Sequence, residues 1–204
     1  MNARFAILLA LFLSVTAVAQ EAFTSPQARS AETRYRNAQR RATEDYIREL
    51  KAAQETAIRD RQIEEAARIK VAIEAAENEV AMQRAASRGQ LVTVSAKHGP
   101  RNAFASGVTV KAGQKYRLLP NPDDTWKGIG EDPNAFCNYM GYQSHLGKQH
   151  YWMRLHCQVG NGQAFSVIAG EEQVAPVSGE LLFFGMDTAT ADNVGQVRVV
   201  VIVE

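Results

Sequence analysis

Three oxygen-bearing side chains bracket one short turn near the end of the chain: Asp187, Asp192 and Asn193. Hard donors at this spacing suit Ca²⁺, which takes about six to eight oxygen ligands. Carbonyls of residues 188–191 are available to complete such a shell, and two carboxylates would balance the charge of the ion. Asp and Asn are also common loop residues that bond their own backbone, so a purely structural turn stands beside the calcium reading.

The other reactive side chains give weaker patterns. His145, His150 and His156 beside Cys157 invite a zinc site, but their spacing matches no zinc-ligand pattern. The acidic pairs Asp123-Asp124, Glu131-Asp132 and Glu171-Glu172 read as solvated loop residues, and no Gly-x-Ser-x-Gly nucleophile motif accompanies them. The expectation is therefore a protein that is not an enzyme. Gln143, His145 and Gln149 have the chemistry to contact a polar ligand. Trp126 and Trp152 have flat faces that could stack on a sugar, although a tryptophan in a β-sandwich more often fills the core. The chain has two cysteines, Cys137 and Cys157, and an even count in an exported chain favours a disulfide. Two buried free thiols, or a share in a metal site, are the rival readings.

Two regimes of sequence must position these groups. From Gln27 to Arg88 there is neither proline nor glycine, and Ala, Glu, Gln and Arg dominate, which is the composition of long helices. Small apolar residues recur at Ala28, Ala31, Tyr35, Ala38 and Ala42 and continue through Tyr46, Leu50, Ala53 and Ala57. A second run follows at Ala66, Ile69, Ile73, Ala76 and Val80, giving a coiled-coil seam with a phase change. The stripe lapses over residues 58–62, where Asp60 is placed to cap a second helix. Residues 25–88 thus read as an antiparallel hairpin, slightly favoured, or as one long helix. A seam this narrow needs a partner helix from the same or another chain, so a homo-oligomer through this segment is one expectation.

From residue 91 the pattern changes to short β-branched runs separated by Gly, Pro, Asn and Asp clusters. Strands are expected at Leu91 to Val94, Val108 to Val110, Lys115 to Leu119, Tyr151 to Leu155, Ala164 to Ile168, Leu181 to Gly185 and Gln196 to Val203. The expected fold class is α+β as separate domains: a helical hairpin or long coiled-coil helix, residues 25–88, followed by an all-β sandwich, residues 91–204.

The N-terminus adds a compartment. Arg4, an apolar run from Phe5 to Val15, and Ala17-Val18-Ala19 form the three parts of a cleavable signal peptide, residues 1–19. The run is shorter than the roughly 20 residues that cross a bilayer, so no membrane span is expected after cleavage. The mature protein is then secreted or periplasmic. A net charge of +1 gives no footprint for nucleic acid.

The C-terminal half resembles the PA-IL (LecA) type of galactose-binding bacterial lectin. The resemblance is carried by residues 107–116, Trp126-Lys127-Gly128, residues 155–162, residues 175–187 and the Asp192-Asn193-Val194-Gly195 turn, and spans about Leu91 to Glu204. It implies a small β-sandwich that binds sugar through a calcium ion. By this resemblance Asp187, Asp192 and Asn193 are side-chain ligands, with main-chain carbonyls from the 188–191 loop, Thr190 among them, and from Gly128 or Ile129. Two sugar hydroxyls complete the ion's shell in such lectins, so Asp187, Thr188, Asp192 and Asn193 would also contact carbohydrate, with Gln143 and His145 nearby. The loop between Asp187 and Asp192 is shorter than in that family, and Asp192 replaces an asparagine. Carbohydrate is the expected partner. The alternative is a structural envelope protein whose lectin-like fold no longer binds sugar.

Overall fold

The computed structural model describes residues 25–128, 136–142 and 152–204. The expected signal peptide, Gln143, His145, Gln149, His150 and most of the insertion from Glu131 to Lys148 lie outside the described residues. The chain divides into two compact units, Met1–Asn37 and Ala38–Glu204. The described part of the first unit belongs to helix α1 (Pro26–Arg59). Ser25 caps that helix by accepting the Ala28 N–H on its Oγ at 3.1 Å, and Pro26 fills the first helical position, where a missing N–H costs nothing.

In the second unit the remainder of α1 and helix α2 (Ile63–Ala86) form a hairpin, which decides between the two expected helical arrangements. The reversal is a Schellman turn. The Gln62 N–H donates to the Ala57 carbonyl at 2.8 Å and the Arg61 N–H to the Ile58 carbonyl at 3.1 Å, while Arg61 takes the left-handed conformation at φ 57°. Asp60 therefore ends the first helix instead of capping the second. The residue preceding α2 is Gln62, whose side chain makes no capping hydrogen bond.

The seam of the hairpin is Ile47 and Leu50 against Ile69, Ile73, Ala76 and Val80. The expected run on α2 lies inside as read, and so do Leu50 and Ala57 on α1, whereas Ile47 and Gln54 take the inward places expected of Tyr46 and Ala53. Tyr46 and Ala53 are exposed, and Ile47, Leu50, the half-buried Gln54 and Ala57 face inward. Steps of three and four residues from Ile47 keep an uninterrupted face toward α2, and Gln54 can occupy it because its Nε2 donates to the Ala66 carbonyl at 3.3 Å. Lys51–Glu77 at 2.8 Å and Arg84–Glu44 at 2.9 Å tie the antiparallel register. As exposed pairs each adds only about 0–1 kcal/mol.

Among the described residues nine strands follow: β1 (Gln90–Ser95), β2 (Phe104–Val110), β3 (Lys115–Pro120), β4 (Trp126–Lys127), β5 (Leu155–Val159), β6 (Phe165–Ser166), β7 (Glu172–Val174), β8 (Gly179–Gly185) and β9 (Val194–Val203). One antiparallel sheet runs β1-β9-β3-β7, with β4 also on β9, and the other runs β2-β8-β5-β6. The strand expected at Tyr151 to Leu155 is displaced. Trp152 and Met153 form a turn, Met153 at φ 60°, and pairing begins only at Leu155.

Strand alternation builds the core. Val92, Val94, Tyr116, Leu118, Val197, Val199 and Val201 from one sheet meet Val110, Leu155, Cys157, Leu181 and Phe183 from the other. Complete burial of each such aliphatic side chain contributes about 1.5–3 kcal/mol. The opposite face of β9 is also covered: Val200 is fully buried beneath Met82 and Ala85 of α2. Beside it, Asp124 accepts hydrogen bonds from the Arg198 backbone N–H at 2.7 Å and from its Nε and Nη2, and Arg198 Nη1 lies 3.0 Å from Glu79 of α2. Burial works against the guanidinium charge, but Asp124 and then Glu79 outweigh it and raise its pKa above the ordinary arginine range. Hairpin and sandwich thus share a packed seam with a charged clamp at its edge. No helix among the described residues is long and apolar enough to cross a membrane.

Candidate functional site

The site forms where β8 hands the chain to β9. Gly185 ends β8, Asp187 opens the connecting turn, and Asn193 closes it immediately before Val194. β4 pairs Trp126 with Gly195 and Lys127 with Val194, which carries Gly128 to the same end of the sheet. Sheet pairing therefore collects three of the expected residues, Asp187, Asn193 and Gly128, all of them buried.

Asp187 is 7% exposed, and its two carboxylate oxygens have different roles. Oδ1 accepts the Ala189 N–H at 3.0 Å, the self-bonding expected of a turn aspartate. Oδ2 is buried with no hydrogen-bond partner. Asn193 is 0% exposed and shows the same asymmetry. Its Nδ2 donates to the Ala96 carbonyl at 3.0 Å and lies 3.6 Å from Met153 Sδ, whereas Oδ1 is buried without a partner.

The surroundings of Gly128 link the two residues. A Cβ built on Gly128 would lie 3.0 Å from Asp187 Oδ2 and 2.8 Å from Met153 Sδ, so the bare backbone, the carboxylate and the thioether crowd together. The Gly128 N–H donates to the Tyr142 hydroxyl at 3.0 Å. Burial pushes that hydroxyl's pKa up, and the charges of Cys137 and Asp187 add to the rise against the opposing Gly128 hydrogen bond. The Tyr142 ring packs against Trp152, with centroids 5.3 Å apart.

A second wall comes from residues 97–102. Asn102 braces this loop by accepting the Gly99 N–H at 2.8 Å and donating to the Lys97 carbonyl at 3.0 Å. The Gly185 N–H donates to the His98 carbonyl at 2.9 Å. A Cβ on Gly99 would come within 2.3 Å of the Asp187 carbonyl oxygen and 2.7 Å of Thr190 Cγ2, so only glycine lets the loop lie this close.

The remaining expected residues are distributed around this centre. Thr190 is half-buried and its carbonyl accepts the Asn193 N–H at 3.3 Å, leaving one lone pair uncommitted by that bond. Thr188 and Asp192 are exposed on the turn. Trp126 is a core residue, 0% exposed, whose Nε1 donates to the Asn138 carbonyl, whereas Trp152 is half-buried. His156 is engaged within its sheet, with Nδ1 3.0 Å from the Arg154 carbonyl, Nε2 3.2 Å from Ser166 Oγ, and its ring stacked on Phe184.

The expected disulfide is absent. Cys137 and Cys157 are both free thiols, because different neighbours hold them. Cys157 sits on β5 opposite Phe183 and points into the core, 0% exposed. Cys137 makes a two-bond bridge to the Trp126 backbone, with its Sγ 3.6 Å from the Trp126 carbonyl. Burial pushes the Cys137 thiol up to about 12 and raises the Cys157 thiol as well.

Sequence reasoning missed Met153, Ala96, Tyr142 and Gly99. Only Gly99, in the dipeptide Gly99-Pro100, carries a local turn signal. The others reach the site through pairing between distant segments.

Among the described residues no three of His, Cys, Asp and Glu converge. Any cation bound here would depend on amide and carbonyl oxygens as well as carboxylates. The two buried unpartnered oxygens supply such donors, and their chemistry fits a hard cation such as Ca²⁺.

No family model matches the chain, and no curated protein matches it. Among solved structures the chain is similar to one described as "EclA N-terminal domain; PllA-like lectin", at 24% identity and a TM-score of 0.44, covering 56% of this chain and 95% of that one.

Proposed function

We propose that the protein is an exported, non-enzymatic carbohydrate-binding protein that takes its ligand at a calcium ion in the turn between β8 and β9. The observation that carries this reading is the pair of buried, unpartnered acceptors, Asp187 Oδ2 and Asn193 Oδ1, beside Gly128. A buried acceptor without a partner costs about 1–3 kcal/mol, more on a charged group, so two in one turn support a reading in which a cation is their partner.

Asp187 and Asn193 would hold the ion, with carbonyl oxygens of Thr190 and Gly128 and the exposed Asp192 completing its protein ligands. Bound calcium would supply a Lewis-acidic centre that orients neighbouring sugar hydroxyls. The chain's own task is preorganisation: Ala189 fixes Asp187, Ala96 and Met153 fix Asn193, and the 97–102 loop seats the Asp187 backbone. Extracellular calcium modules work with dissociation constants of about 10⁻⁴–10⁻³ M, which suits a site with at most two carboxylates and a protein exported from the cytoplasm.

The helical hairpin would act as a spacer packed on the sandwich. Its outward stripe at Ala38, Ala42, Tyr46 and Ala53 is exposed and would support self-association, which would raise the avidity of weak single sites. A glycan array in calcium and in EDTA tests the reading, with Asp187→Ala as control. Calcium-dependent glycan binding lost in the variant is the expected result. Binding to no glycan in calcium would instead favour a structural envelope protein, a role in which Asp187 Oδ1 serves only the Ala189 turn.

A further inference from the structure

We infer that Met153 is a positioning residue that holds the Asn193 carboxamide with its oxygen toward the cation, an inference that rests on the calcium reading of this site. An amide side chain can flip, presenting either an acceptor or a donor to a ligand. Here the choice is made by the protein. The Ala96 carbonyl is only an acceptor and lies 3.0 Å from the amide nitrogen, so the NH₂ group must face it. The second amide proton is directed to Met153 Sδ at 3.6 Å. Both donors are committed on the protein side, and Oδ1 is left as the acceptor without a partner.

Met153 is placed for this role by the fold. It is 0% exposed and adopts a left-handed backbone conformation at φ 60°, with its N–H donating to the Met186 carbonyl at 3.1 Å. That bond ties it to the residue preceding Asp187. Its thioether enters the space left by the missing side chain of Gly128, where a Cβ would lie 2.8 Å from Sδ. Sulfur is a weak acceptor, strong enough to orient an amide proton but too weak to compete for a hard cation. One side chain therefore touches both Gly128 and Asn193, two of the groups assigned to the ion.

The test compares the full chain with Met153→Leu, a substitution of similar volume that lacks the sulfur. In EDTA, side-chain amide exchange at Asn193, followed by nuclear magnetic resonance, should be slow in the parent and distinctly faster in the variant. Titration with calcium chloride should show affinity weakened by about tenfold, the scale at which residues supporting a metal ligand act. Should Met153→Leu fail to fold, norleucine incorporation removes the sulfur with less change of shape. Unchanged exchange and unchanged calcium affinity would overturn the inference. A parent protein that binds no calcium, yet shows the protected amide, would refute the cation reading and remove this role with it.

Discussion

Replacing Asp187 with asparagine should make the metal-free protein more stable and the calcium-bound state unattainable. The variant keeps Oδ1 for the Ala189 N–H, a 3.0 Å bond, and exchanges the buried, unpartnered Oδ2 for half of a neutral amide. A buried unsatisfied group costs more when charged than when neutral, so removing the carboxylate charge while leaving a neutral amide in its place should give relief of about 1 kcal/mol. The second unit spans Ala38–Glu204. At about 2.1 cal/mol/K of unfolding entropy per residue, over roughly 170 residues, that relief corresponds to a rise of about 3 °C in Tm. Calcium at about 100 times its dissociation constant adds about 2.7 kcal/mol to a protein with one site, or about 8 °C on the same scale. Calorimetry in EDTA and then in calcium should show the variant melting above the parent in the first buffer and below it in the second. A variant that melts lower in EDTA and still gains as much from calcium as the parent would refute the reasoning.

Other consequences follow from the same geometry. Gly99→Ala drives a methyl group into the Asp187 carbonyl oxygen, a backbone atom 2.3 Å away, so a loss of about 1–3 kcal/mol together with weakened calcium binding is expected in chemical denaturation and calcium titration. Arg61→Gly removes a side chain from a left-handed position at φ 57° and should stabilise the protein by about 1 kcal/mol in the same denaturation assay. Thiol titration in denaturant without reductant should count both cysteines as free. Because burial raises the Cys137 thiol from 9.0 to about 12, the folded state holds that proton more tightly than the unfolded state. Its contribution is full below about pH 9 and is lost as pH rises toward 12, which denaturation at stepped pH will show as falling stability.

Local chemistry made much of the fold legible. Absence of Gly and Pro over residues 27–88 reported the helices, β-branched runs reported β1 and β9, and short runs of large apolar residues bounded by turn clusters reported β3 and β8, each within a residue or two. On α1 the seam was legible at Leu50 and Ala57 but misplaced by one residue at Tyr46 and Ala53, because alanines surround that helix and their spacing does not distinguish the inner face. Ile47 and Ile73 carry the packing. Trp152 and Met153 read as strand because both are large and apolar, yet their backbone forms a turn set by contacts with Met186 and Gly128. The two-residue β4 and three-residue β7 are too short to produce a period of two. At the candidate site Asp187 and Asn193 announced themselves as turn residues. Sequence could not show that Asp187 Oδ2 and Asn193 Oδ1 would be left over, because Ala189 takes Asp187 Oδ1 while Ala96 and Met153 take the Asn193 amide through tertiary contacts. The cysteine count suggested a bond that the structure does not contain: Cys157 faces the core while Cys137 is held on the Trp126 backbone.

Isothermal titration of the parent protein with calcium chloride, after dialysis against EDTA and then into metal-free buffer, tests the central claim most directly. The account predicts one site per chain with a dissociation constant of about 10⁻⁴–10⁻³ M, abolished in Asp187→Asn. No binding in the millimolar range, or binding that survives that substitution, would contradict it.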